Sequence, residues 1–168
     1  MAERLSLVHP PSCTLAIDPG SEQSAWLVHN RATAGIRSFG IEPNDWLLRH
    51  LRAGMAADVD VVVIEQIESY GMAVGREVFE TVHWSGRFTE AAHPLRVVQL
   101  PRRVVKLAIC GDTRAKDSNI RAALLDRFGG TGAKGTKAHP GPHRALGIPA
   151  IGVGGATLCA CAHVRAEA

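Results

Sequence analysis

Cysteine is scarce. The 168 residues hold four, Cys13, Cys110, Cys159 and Cys161, too few and too unevenly spaced for a disulfide framework or a zinc ribbon. Buried, reduced thiols are expected, and CACAH at 159–163 reads as part of a packed helix. Long apolar runs are missing too. Hydrophobic residues make up 46% of the chain, yet no run reaches the roughly 18 residues that a membrane-spanning helix needs. The opening MAERLSLVHPPSC lacks the apolar segment of a secretory signal, so a soluble, cytoplasmic protein without membrane contact is expected. Neither an internal repeat nor an interdomain linker stands out. A chain of this length can bury a core without staples, which argues for one domain over residues 1–168.

Charge is present but divided. Residues 1–95 carry 7 Lys and Arg against 12 Asp and Glu, while residues 96–168 carry 12 against 4. The split suits a protein whose carboxylates hold cations while a separate basic surface attracts a polyanion. Solvated faces without a partner would give the same count.

Apolar alternation in SCTLAID (12–18) predicts a strand with Leu15 and Ile17 on one face and Thr14, Ala16 and Asp18 on the other. SAWLVHN and AGIRSFGI continue it as a meander, with a turn at Pro19 and Gly20. EPNDWLLRHLRAGM predicts a short amphipathic helix, with Asn44 or Asp45 as cap and an end near Gly54. DVDVVVIE is a fourth strand whose unbroken Val/Ile run indicates burial on both faces. From Val74 to about Ala92, the residues Val74, Val78, Val82 and Phe88 predict a long helix, on which His83 and His93 read as hydrogen-bonded structural histidines. PLRVVQL is a fifth strand. PRRVVKLAI, opened by Pro101, and KDSNIRAALLDRF, carrying Ile120, Leu124 and Phe128 on one stripe, are helices. Residues 129–144 form a basic loop rich in glycine and proline. Trp26, Trp46, Trp84, Tyr70, Met72 and Phe79 read as packing residues.

Within VVVIEQIESYG (61–71) the apolar run stops at Glu65, and a carboxylate at the end of a buried strand needs a partner to offset its desolvation. The order of elements predicts an α/β domain, a mixed five-stranded sheet with helices on its faces. It resembles the ribonuclease H-like fold, in which the first and fourth strands are neighbours. Asp18 and Glu65 would then leave the sheet side by side and share a divalent cation.

LAIDPGSEQSAW, VVVIEQIESYGMAVGREVFETVHWSGRF, LPRRVVKLAICGDTRAKDSNIRAALLDRFG and KGTKAHPGP, in this order between Leu15 and Pro142, resemble the RuvC-like Holliday-junction resolvases, in particular the compact versions carried by phages and prophages. The resemblance implies a homodimeric, metal-dependent endonuclease acting on branched DNA. It also implies Asp18 and Glu65 as catalytic metal ligands for Mg²⁺ or Mn²⁺, with two ions. Hard dications prefer oxygen donors, and a pair of them can activate water and stabilise the leaving oxygen. Lys106, Arg114, Lys116, Lys134 and Lys137 are the candidate phosphate contacts, spread as suits recognition of DNA shape. Glu68 is a reserve ligand that otherwise caps a loop or faces solvent, and Asp112 and Asp117 read as caps.

The chain departs from the family after PGP. Relatives lead there into a helix with a last catalytic His or Asp, whereas residues 143–168 read HRALGIPAIGVGGATLCACAHVRAEA, and Glu167 is the only acid after Asp126. Three readings stand: His143 or His163 substitutes, the protein binds branched DNA with cleavage impaired, or a shifted reading frame replaced the tail. A small actin-like or sugar-kinase-like phosphotransferase shares the opening strand, but the chain is short for its nucleotide-binding halves.

Overall fold

The computed structural model describes residues 13–127, apart from 34, 56, 57, 69, 70 and 72. Tyr70, Met72, Phe128, Lys134, Lys137, His143, Cys159, Cys161, His163, the loop at 129–144 and the tail at 143–168 lie outside the described residues. The elements follow the expected order: β1 (Cys13–Asp18), β2 (Gln23–Asn30), β3 (Gly35–Pro43), α1 (Asn44–Arg52), β4 (Val59–Gln66), α2 (Arg76–Ala91), β5 (Arg96–Pro101), α3 (Arg102–Cys110) and α4 (Asp117–Arg127).

The five strands form one mixed sheet in the order β3-β2-β1-β4-β5. β1, β2 and β3 are an antiparallel meander, while β4 runs parallel to both β1 and β5. The β1 and β4 strands are therefore neighbours, as the fold resemblance implied. Val61, Val62, Val63 and Ile64 are all buried, because β4 has a strand on each side and helices over each face. Strand parity divides the core in two. Leu15, Ile17, Val62 and Ile64 pack with Leu47 and Leu51 of α1 and Phe88 of α2. Ala16, Val61 and Val63 point the other way, toward Val105 of α3 and Ile120 and Leu124 of α4.

Arg31, just after β2, ties the far end of the sheet together. It donates to Thr14 Oγ1 at 3.0 Å and makes a forked ion pair with Asp60, which holds its guanidinium above the usual arginine range. The α3 helix stops at Gly111, whose φ of 69° lies in the left-handed region that glycine adopts without a Cβ penalty.

Several local expectations are corrected by packing. The long helix starts at Arg76, and Val74 and Val82 are exposed, because the four-residue spacing drifts around the helix away from the stripe that Thr81 and Phe88 bury. Phe79 is 64% exposed rather than packed in the core. Nine residues separate it from Phe88, about half a turn out of phase at 3.6 residues per turn. His83 is exposed and meets Trp84 edge-on, and His93 lies exposed in the turn beyond α2 rather than on the helix. Trp26 is buried, and Trp46 and Trp84 pack against the core as expected. Neither Asn44 nor Asp45 caps α1: Pro43 holds the cap position, and the Asn44 side chain is used elsewhere.

Candidate functional site

Asp18 and Glu65 come together through register. Ile17 pairs with Ile64 across the parallel β1 and β4 strands, so the next residue on each strand leaves the same end of the sheet. Parity then decides the face: Asp18 follows Ala16, Glu65 follows Val63, and both belong on the α3 and α4 side.

A buried polar loop shapes the turn after Asp18. Ser24 donates to Asn44 Oδ1 at 2.6 Å, Asn44 Nδ2 donates to the Gly20 carbonyl at 2.9 Å, and the Gly20 amide donates to Ser24 Oγ at 3.2 Å. Ser24 and Asn44 are both nearly inaccessible. At Gly20 an added Cβ would lie 2.2 Å from the Gln23 carbonyl oxygen, a clash with backbone, so the turn demands glycine.

A cavity of about 320 Å³ opens at this end of the sheet, lined by Asp18, Glu65, Gln66, Glu68, Thr81 and Arg102 among others. Glu65 is only 6% exposed. Its Oε1 accepts a hydrogen bond from Arg102 Nη1 at 2.8 Å, while Oε2 is buried without a hydrogen-bond partner. Leaving such an atom orphaned costs free energy. Glu68 is corrected from a solvent-facing residue: its side chain is mostly buried, lines the cavity and pairs with Arg103 Nε at 3.2 Å.

The donor chemistry fits a hard dication in part. Asp18 and Glu65 offer carboxylate oxygens, and Glu65 Oε2 has no hydrogen-bond donor. Among the described residues no group of three His, Cys, Asp or Glu side chains is arranged to hold a metal ion. Water would have to complete the coordination, as is usual for Mg²⁺.

Arg114 and Lys116 are exposed and line a second recess of about 500 Å³ between α3 and α4. Asp112 caps the turn there, accepting from the Arg114 amide at 2.8 Å. Lys106 is half-buried on α3, one turn before Cys110. Asp117 begins α4, but its side chain is not described. A further recess, about 830 Å³, lies where α1 and α2 end and holds Arg52, Glu90 and His93. Both helices lead back to strand starts, so it is at the opposite end of the sheet from Asp18 and Glu65.

Sequence reasoning missed Arg102, Arg103, Ser24, Asn44 and Thr81. A signal for the arginines was available: two positive charges open a helix whose first turn holds no acid.

The sheet order and helix placement define a ribonuclease H-like α/β fold. Within that class the fold is RuvC-like. Thermus thermophilus RuvC superposes with a TM-score of 0.56 at 17% identity, over 89% of this chain and 90% of that one. T. thermophilus RuvC in complex with a Holliday junction substrate gives 0.53 at 16% identity, over 89% of both chains. No protein-family model and no curated protein sequence matches the chain. Among the described residues no helix is long and apolar enough to cross a membrane.

Proposed function

We propose that this single-domain protein is a structure-selective endodeoxyribonuclease that hydrolyses phosphodiesters at Holliday junctions and related branched DNA. The observation that carries the reading is the shared cavity of Asp18 and Glu65, with a buried Glu65 oxygen lacking a partner. The RuvC-like fold, and the Holliday junction bound by one of the similar structures, support the substrate class. Asp18 and Glu65 are the proposed ligands for Mg²⁺ or Mn²⁺, with one or two ions. Such a cation would acidify the attacking water and offset charge on the leaving oxygen.

Arg114 and Lys116, with Lys106 nearby on α3, are proposed to hold phosphates, and Lys134 and Lys137 to extend the same basic surface. Phosphate contacts orient the duplex without reading bases, as recognition of branch shape requires. The exposed side of α2, with Phe79 and Val82, is proposed as the face on which two copies pair, so that two sites meet opposite strands of a junction.

A second reading is a branched-DNA-binding protein with impaired cleavage. It is favoured by the scarcity of acids after Asp126 and by the lack of a three-ligand cluster among the described residues. Incubating a synthetic four-way junction with the full chain in Mn²⁺ or in EDTA separates the two. Cutting in Mn²⁺ only, lost in Asp18→Asn and Glu65→Gln with binding retained, is expected. A junction bound but left intact at every Mn²⁺ concentration would establish the second reading.

A further inference from the structure

Arg102 and Arg103 stand at the wrong end of a helix. They are the first two residues of α3, where the helix dipole is positive and no acid of the first turn offsets them. Their compensation comes from the cavity instead: Arg102 pairs with Glu65 at 2.8 Å and Arg103 with Glu68 at 3.2 Å. The Arg102 side chain is 30% exposed and that of Glu65 only 7%, so the arginine reaches solvent more than the carboxylate does.

We infer that Arg102 is an exchangeable counter-ion which competes with a divalent cation for Glu65 and is drawn away by a DNA phosphate. The inference rests on the reading of Asp18 and Glu65 as cation ligands. A dication entering the cavity meets a guanidinium already seated on Oε1, and like charges that close together repel in a partly buried site. A phosphate can take the guanidinium through two parallel hydrogen bonds, whereas the Glu65 Oε2 takes none. Linkage makes the exchange reciprocal: whatever takes Arg102 from Glu65 strengthens cation binding there. In the absence of DNA, Arg102 therefore keeps cation affinity low.

The sign of one substitution separates competition from simple support. If Arg102 only orients Glu65, removing it weakens cation binding; if it competes, removing it strengthens binding. Mn²⁺ uptake by the full chain without DNA, followed by electron paramagnetic resonance, is the measurement, with thermal melting to check folding. Arg102→Gln should bind Mn²⁺ at least about fivefold more tightly than wild type. Arg102→Lys, which keeps the charge, should stay near wild type. Equal or weaker binding by Arg102→Gln overturns the inference while leaving the cation site intact. Equal uptake by wild type and Asp18→Asn overturns the site itself, and the inference with it. A readout on wild type covers the case in which Arg102→Gln does not fold. In ¹⁵N-arginine-labelled protein, assigned against Arg102→Lys, the Arg102 guanidinium protons should lose protection as Mg²⁺ saturates; unchanged protection overturns the proposal.

Discussion

Ser24 and Asn44 meet through a 2.6 Å hydrogen bond, although 20 residues separate them, and together they brace the turn that carries Asp18. Asn44→Ala strips a buried hydroxyl of its acceptor and the Gly20 carbonyl of a donor. A loss of about 1–3 kcal/mol is expected in urea unfolding. Gly20→Ala should cost more, since its Cβ would sit 2.2 Å from a backbone oxygen. A Gly20→Ala protein within about 0.5 kcal/mol of wild type would mean that the turn is not held as described.

Phe79 and Val82 are solvent-facing on α2, so their loss costs the single chain little packing. The double substitution Phe79→Ser, Val82→Ser should leave monomer stability within about 0.5 kcal/mol per site. Sedimentation velocity should show a dimer for wild type and a monomer for the variant. An unchanged dimer would move the pairing surface elsewhere.

Arg114 and Lys116 share a recess and are the proposed phosphate contacts. Replacing either by Ala should weaken junction binding in EDTA and reduce the slope of log affinity against log salt by roughly 1. A parallel shift with unchanged slope would show that the residue makes no phosphate contact.

Burial pushes the Cys110 thiol up, the Asp112 charge pushes it further, and Lys106 opposes both. The raised value leaves less thiolate near neutral pH, so alkylation of Cys110 should be slower than that of an ordinary thiol and should accelerate at higher pH. Asp112→Asn removes a repelling charge and should bring the rise to lower pH. Lys106→Ala removes an attracting charge and should move it higher. Iodoacetamide rates across pH, resolved by peptide mass spectrometry, check both signs.

Much of the fold was legible because it depends on neighbours in the chain. Alternation in CTLAID assigned Asp18 to the Ala16 face, and the unbroken VVVI before Glu65 marked a central strand. The α2 face was misjudged because valines at every fourth position form a helical stripe only when something packs against it, and the core chose Thr81 and Phe88 instead. Asn44 was read as a cap because its local setting favours one; its partners lie across the turn.

The order of alternating and continuous apolar segments, by itself, determined which strands are central and which carboxylates stand at their ends. Local stereochemistry and burial are enough for that, since side chains on a strand must alternate and a run apolar on both faces must be covered. Only the tertiary structure decided what those carboxylates touch. Gln66 lies beside Pro101 in the parallel β4 and β5 pair, and this register, set across a helical crossover, brings Arg102 onto Glu65, 37 residues away. A contact of that kind follows from how distant segments pack, which no periodicity within either segment records.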